Sequence, residues 1–249
     1  MQARSLPART GLAWLLATFA LYRRNPPLLT SATMVYLMIV LGLSFVPLLG
    51  SFVVPLLLPS LNLIVANTCR LIDNGQQPSN ELIGVGVREQ RQPLFRLGVF
   101  QLGASVLLFL LASLLESALG DGTPKTEIED VAAMLGRMFL LAAPLLLAFW
   151  FAPLLAGWDR IPPGKALFFS LVACWRNLGA FVVYLVGIVF VAVLLPGLVM
   201  TLASLAAPGV LGGLSFVLRT ALIVILTPIL MAGPYVSYRD VFLPPAAPQ

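Results

Sequence analysis

Residues 158–177, WDRIPPGKALFFSLVACWRN, form a charged break between two long apolar runs in the second half of the chain. In this break Arg160, Lys165 and Arg176 outnumber the single acid Asp159. If both flanking runs cross a membrane, the excess of Lys and Arg assigns the connecting segment to the cytoplasmic side. The break therefore predicts a polytopic membrane protein and fixes the expected orientation of its spans.

The composition is typical of a protein that is dissolved mainly in lipid. Of 249 residues, 59% are hydrophobic and 10% are charged, whereas a soluble domain is about 45–50% apolar and about 25% charged. The net charge of +5 comes from dispersed Lys and Arg, which favours membrane topology over nucleic-acid binding. We expect one membrane domain at residues 1–242 and a disordered, Pro-rich tail at 243–249.

Six apolar runs predict six transmembrane helices in an all-α fold, since about 20 apolar residues span the hydrocarbon core. Consecutive runs are separated by short turns or polar loops, so we pair them into three helical hairpins. Basic and aromatic residues before each pair predict a cytoplasmic interfacial helix. The expected hairpin units cover about residues 8–73, 79–159 and 162–240.

Two local features are expected from turn and breaker residues. Ser79 or Asn80 is expected to cap the second interfacial helix, which we extend to Gln92. Pro196 and Gly197 are expected to kink or break the fifth span.

The distribution of cations orients the spans. With six spans, both termini lie on one side together with the two polar loops, and twelve of the fifteen Lys and Arg residues fall there. The positive-inside rule then places both termini in the cytoplasm. The predicted localisation is therefore a membrane with both termini on its cytoplasmic side.

The three hairpins also resemble one another. Each return span contains prolines and ends near an aspartate, at Asp73, Asp159 and Asp240, which are 86 and 81 residues apart. Repeats of this size underlie several membrane architectures. The alternative is coincidence, because Pro and interfacial Arg-Asp pairs are frequent in polytopic proteins.

The chain resembles a known family in three places. These are KALFFS at 165–170, ACWRN at 173–177 and the ending YVSYRDVF at 235–242. They are similar to an uncharacterised family of six-helix proteobacterial inner-membrane proteins. The ending is more loosely similar to the membrane domain attached to some glycerophosphodiester phosphodiesterases. The resemblance implies a location in the bacterial inner membrane and a six-helix fold, and carries over no catalytic residues.

Three ionisable residues fall within predicted spans, where charge is costly. Glu116, Arg137 and Arg219 all lie near the outer leaflet in the six-span arrangement. One interpretation is a polar cluster that gates a cavity or holds an anionic headgroup. The other is that each side chain reaches the interface or closes a structural ion pair.

Three amides form a second set of intramembrane polar candidates. Asn62 and Asn67 are five residues apart, roughly 140° around a helix, so they do not share a narrow stripe. Gln101 on the next span is expected to meet one of them. Such amides commonly make interhelical hydrogen bonds; the alternative is that they line a substrate path.

The cytoplasmic basic and aromatic segments form a third set. They are expected to contact anionic lipid, although anchoring at the interface alone also explains them. The candidate contacts are Arg23, Arg24, Arg88, Arg91, Lys165 and Arg176.

The chain contains no histidine, the commonest general base and metal ligand, and no phosphate-binding or catalytic motif. We therefore predict that it is not an enzyme and holds no metal or cofactor. The favoured function is a non-enzymatic membrane component that interacts with lipids, another copy of itself or other membrane proteins, and not with nucleic acid. The alternative is a small transporter or channel with a path between the hairpins.

Overall fold

The computed structural model describes residues 3–46, 49–119, 127–206 and 211–243, which are helical apart from short connections. Six helical segments in these ranges are long and apolar enough to cross a membrane. The all-α, six-span fold expected from the sequence is confirmed. Of the predicted disordered tail at 243–249, all but Leu243 lies outside the described residues.

The spans are built from helices that we number in chain order. They are α1 (Thr10–Arg24), α2 (Pro26–Ser44), α3 (Leu49–Asp73), α4 (Asn80–Ile83), α5 (Arg91–Leu119), α6 (Glu127–Gly157), α7 (Pro163–Arg176), α8 (Leu178–Val189), α9 (Leu195–Ala206), α10 (Leu211–Ala221), α11 (Thr227–Met231) and α12 (Gly233–Phe242). A π-helical segment, Phe190–Leu194, joins α8 to α9 in the fifth span. A second, Leu222–Leu226, joins α10 to α11 in the sixth.

Both π-helical segments end just before a proline, Pro196 in one span and Pro228 in the other. Proline has no N–H and its ring crowds the preceding turn. The backbone N–H of Leu195 bonds the carbonyl of Phe190, five residues back, and this wider turn accommodates the ring. The irregularity that we expected at Pro196 and Gly197 lies directly before them, and α9 continues through both.

The second interfacial helix is shorter than predicted. Ser79 caps it as expected, because its Oγ accepts a hydrogen bond from the backbone N–H of Leu82 at 3.2 Å. The predicted extension to Gln92 is wrong, since α4 ends at Ile83 and turns lead to α5. Gly86 has a left-handed φ of +73°, and a right-handed helix cannot continue through that conformation to Gln92. Of the three predicted interfacial helices, α1 and α7 are longer than one turn.

The return spans form the centre of the molecule. Helices α3, α6 and α12 contact one another, α2 and α5 pack against α3, and α7 packs against α6. We call the end of the bundle that carries Asp73, Asp159 and Asp240 the aspartate end. The threefold repeat itself stays a prediction.

The buried core lies mainly at the aspartate end. Trp14, Phe151 and Leu155 are at most 1% exposed. Towards the opposite end, large apolar side chains such as Phe109 and Leu205 are exposed. Because lipid tails solvate apolar side chains as well as a protein core does, this exposed surface fits a membrane environment.

Helix α1 joins the third hairpin to the first. Near its start, Gly11 lies directly on the backbone carbonyl of Ala180 in α8, and a Cβ at that position has no room. Its middle contacts α11 and α12, and its last turn reaches α3. The sequence uses glycine here because the two backbones touch.

Candidate functional site

Asp73, at the last position of α3, is the most highly connected acid at the aspartate end. Its Oδ1 accepts a hydrogen bond from Nη1 of Arg24 at 2.7 Å. Its Oδ2 accepts from Nη1 of Arg239 at 2.8 Å and from the hydroxyl of Tyr235 at 2.9 Å. One carboxylate therefore holds α1 and α12 against the end of α3.

Asp240, in α12, connects to the chain segment around α1. Its Oδ2 accepts a hydrogen bond from the indole N–H of Trp14 at 3.1 Å, and its Oδ1 accepts from Nε of Arg239 at 3.2 Å. The backbone N–H of Arg4 also donates to the carbonyl of Val241 at 3.0 Å. The N-terminal segment is thereby tied to the last helix.

Asp159 follows α6 and completes the set. The hydroxyl of Tyr238 donates to its Oδ2 at 2.5 Å. Burial raises the pKa of the Asp159 carboxyl, against the opposing effects of the Tyr238 hydrogen bond and the positive charge of Arg70. The guanidinium of Arg70 also lies over the ring of Trp158, 5.3 Å from its centroid.

Together these residues form what we call the aspartate network: Asp73, Asp159, Asp240 and their partners Trp14, Arg24, Tyr235, Tyr238 and Arg239. Each carboxylate is held by cations, phenols or an indole from another element, so the arrangement fixes the three return spans relative to one another. Among the described residues, no group of three His, Cys, Asp or Glu side chains is placed to hold a metal ion. The two cysteines, Cys69 and Cys174, are buried thiols.

Asn67 belongs to the aspartate end. Its Nδ2 donates to the carbonyls of Ile83 and Val85, both at 2.8 Å. Its Oδ1 accepts the indole N–H of Trp158 at 2.8 Å. The amide therefore fastens the turns after α4 and the segment after α6 to α3.

The other two amides lie at a cavity. The cavity has a volume of about 590 Å³ and is lined by residues of α2, α3, α5, α6, α8, α11 and α12. Asn62 and Gln101 contribute from α3 and α5, and Tyr36 contributes from α2. We expected Gln101 to meet one of the two asparagines. In the structure Gln101 and Asn62 line the same cavity, and Asn67 is not among its lining residues.

The predicted lipid contacts all lie at or near the aspartate end. Arg24 forms an ion pair with Asp73 of the same chain. Arg23 lies beside the ring of Phe19, 6.0 Å from its centroid. Arg23 is exposed. The remaining four cations are exposed as well: Arg88, Arg91, Lys165 and Arg176.

The predicted polar cluster at the opposite end stays a prediction. Arg137 is partly exposed on α6. Glu116 and Arg219 lie within α5 and α10, but their side chains are outside the described part of the structure.

A comparison with known proteins agrees with this fold. A probable inner membrane protein of Burkholderia thailandensis is 32% identical over 262 residues, which cover 97% of this chain and 94% of that protein. The chain belongs to this inner-membrane protein family. The predicted resemblance and the membrane location are confirmed. No protein-family model and no solved structure matches the chain.

Sequence reasoning missed the aspartate network as a site. It used Asp73, Asp159 and Asp240 to measure a repeat and Asp159 to count charge in the break at 158–177, and it did not select Tyr235 or Tyr238 as site residues. The usable signal was that each acid ends a return span within three residues of Trp, Tyr or Arg. Polar residues at that depth require partners, and the nearest available partners are the equivalent ends of the other spans.

Proposed function

We propose that this inner-membrane protein is a non-enzymatic component that binds anionic lipid at its aspartate end, and that this end and both termini face the cytoplasm. Exposed cations at that end carry the proposal. Arg88, Arg91, Lys165 and Arg176 are exposed and make no ion pair with another described residue, whereas Asp73 and Asp240 are engaged by the protein's own cations.

Aromatic side chains next to these cations support an interfacial position. On α7, Phe168 is 61% exposed and Trp175 is 68% exposed. Aromatic rings are enriched where hydrocarbon meets headgroups. Lys165 and Arg176 on the same helix then lie at the level of anionic headgroups, where each cation contributes about 1 kcal/mol.

The non-enzymatic part of the proposal rests on the chemistry that the chain lacks and on how its acids are used. The sequence contains no histidine. Each carboxylate of the aspartate network accepts a hydrogen bond from a neighbouring side chain, which suits a structural role. A hydrolytic or transfer activity of the purified protein, abolished by substituting one of these acids without loss of folding, would contradict it.

Lipid selectivity tests the binding proposal directly. The variant with Arg88, Arg91, Lys165 and Arg176 all changed to Gln is reconstituted and compared with the wild type for enrichment of spin-labelled phosphatidylglycerol over phosphatidylcholine. The matched control keeps the charge, with Arg→Lys at three positions and Lys165→Arg. We expect enrichment that falls with salt in wild type and control, and that disappears in the Gln variant. Equal enrichment in all three proteins would refute the proposal.

The orientation has its own test. A fluorescent reporter that folds only in the cytoplasm, fused after residue 165 or after residue 242, is expected to be active in both fusions. Alkaline phosphatase at the same positions is expected to be inactive. The reverse pattern at either position would contradict the proposed topology.

The cavity favours one alternative, a small carrier with a path between the hairpins. It is lined by Asn62 and Gln101 and reaches all three return spans. A carrier requires that water and substrate enter this space. A thiol introduced by Ser105→Cys would then react with a charged, membrane-impermeant maleimide, and a thiol that reacts only with an apolar maleimide would argue against the alternative.

A further inference from the structure

Three polar side chains that line the cavity are without hydrogen-bond partners among the described residues. They are the Tyr36 hydroxyl, the Asn62 amide and the Gln101 amide, from three different helices. The other polar groups of the wall are satisfied: the Trp150 indole donates to Ser237 at 3.0 Å and the Ser105 hydroxyl donates to a backbone carbonyl at 2.9 Å. Unpaired amides at membrane depth are costly, so a partner for them is expected.

The wall restricts what that partner is. None of the residues that line the cavity is Asp, Glu, Lys or Arg, and the remaining surface is formed mainly by Leu, Ala, Phe, Val, Ile and Met. A charged group would be desolvated there without a counter-charge, at high cost. The volume of about 590 Å³ lies in the usual range of small-molecule cavities, about 300–1,000 Å³. A ligand of this cavity would therefore be uncharged and largely hydrocarbon.

The polar groups also define the head of the ligand. Asn62 and Gln101 each present two N–H donors and a carbonyl acceptor, and the Tyr36 hydroxyl presents one donor and can also accept. A head with carbonyl oxygens alone would satisfy the donors and leave the amide oxygens unpaired. A hydroxyl both donates and accepts, so it satisfies both kinds of group.

We infer that this cavity is a binding site for a neutral lipid alcohol, such as a monoacylglycerol, whose hydroxyl head contacts Asn62 and Gln101 and whose chain lies along the apolar wall. The site is separate from the exposed cations that bind anionic lipid in the proposed function. Binding here requires no transport, so it holds whether or not the protein moves its ligand.

Trp150 lines the cavity and provides a reporter. The full chain is reconstituted in phosphatidylcholine vesicles that contain increasing fractions of a monoacylglycerol with a dibrominated stearoyl chain, because bromine quenches tryptophan fluorescence at short range. We expect saturable quenching above that produced by dibrominated phosphatidylcholine at the same mole fraction. Unbrominated monooleoylglycerol should relieve it, whereas oleate, which has a similar chain and a charged head, should not.

Variants assign the quenching to the site. Asn62→Leu and Gln101→Leu should each raise the half-saturating mole fraction about fivefold, which corresponds to one neutral hydrogen bond of about 1 kcal/mol. Gln92→Leu removes an exposed amide outside the cavity and should leave the titration unchanged. Trp150→Phe should abolish the saturable component.

Two results would overturn the inference. One is quenching that matches the brominated bulk lipid and is not relieved by monooleoylglycerol. The other is saturable quenching that is unchanged in both Leu variants, which would place the ligand elsewhere. Where a variant does not fold, the competition between monooleoylglycerol and oleate on the wild-type protein decides the question alone.

Discussion

Replacing Asp73 by Ala tests whether the aspartate network stabilises the bundle as the geometry indicates. The substitution removes the carboxylate that accepts hydrogen bonds from Arg24, Arg239 and Tyr235. Arg24 keeps the backbone carbonyl of residue 73 as an acceptor, and Arg239 keeps Asp240. Its effect is the sum of three unequal losses, because the three donors differ in exposure. The phenol of Tyr235 is left without an acceptor in a side chain that is 5% exposed.

The magnitudes rank the three contacts. A hydrogen bond to a charged group contributes about 1.5–3 kcal/mol, which applies to Tyr235. Arg24 is 58% exposed, and such pairs contribute about 0–1 kcal/mol. Arg239 is 36% exposed, so its contribution is also reduced by solvent screening. We expect Asp73→Ala to lower the free energy of unfolding by about 2–4 kcal/mol, and Arg24→Ala by less than about 1 kcal/mol.

The assay is reversible unfolding in mixed micelles with increasing dodecyl sulfate, followed by tryptophan fluorescence. Double-mutant cycles separate the contacts: the coupling of Asp73 to Tyr235, measured with Tyr235→Phe, should exceed its coupling to Arg24. Couplings of equal size, or an Asp73→Ala variant as stable as the wild type, would show that the burial argument is wrong.

Three further predictions use the same unfolding assay. Burial raises the pKa of Asp159, so the folded state binds this proton more tightly than the unfolded state does. The stability that the protonated carboxyl contributes is present at low pH and is lost as pH rises through the raised pKa. Asp159→Asn should therefore gain stability over the wild type at neutral pH, and the gain should vanish in acid. Gly11→Ala, which places a methyl group on the backbone of α8, should cost about 1–3 kcal/mol; Gly42→Ala, with open space around it, should cost nothing. Tyr184→Phe should stabilise by about 1 kcal/mol or more, since this buried hydroxyl has no partner among the described residues.

Each of these has a clear contrary result. A difference in stability between Asp159→Asn and the wild type that does not change with pH would show that ionisation of Asp159 does not affect stability. Equal losses for Gly11→Ala and Gly42→Ala would show that α1 and α8 are not in backbone contact. A loss of stability in Tyr184→Phe would show that the hydroxyl has a partner.

The spans could be predicted because a hydrophobic run of sufficient length is enough to identify a transmembrane helix. The ends of the return spans could not be predicted in this way. Helices α3 and α12 continue through polar residues to Asp73 and Phe242, where hydropathy alone ends the helix earlier. The polar groups are tolerated because partners distant in sequence satisfy them. Tyr235 is 162 residues from Asp73, and no local pattern reports such a contact.

The amides show the same division between local and distant information. Helix periodicity correctly separated Asn62 from Asn67, because a difference of five residues directs them to different sides of α3. The partners of Asn67, which are two carbonyls after α4 and Trp158, depend on a turn at Gly86 and on how α6 ends. Those features follow from three-dimensional packing, so periodicity could not identify them.

The contacts of α1 have a consequence for biogenesis. Trp14 and its acceptor Asp240 are 226 residues apart, so α1, which is synthesised before α12, cannot reach its final position until α12 has been made. Until α12 is inserted, the Trp14 indole and the backbone beside Arg4 have neither of these partners. Bundle closure is therefore a late and cooperative event. Premature termination within α12 is expected to expose α1 to quality-control proteases, which converts a local deletion into loss of the whole protein.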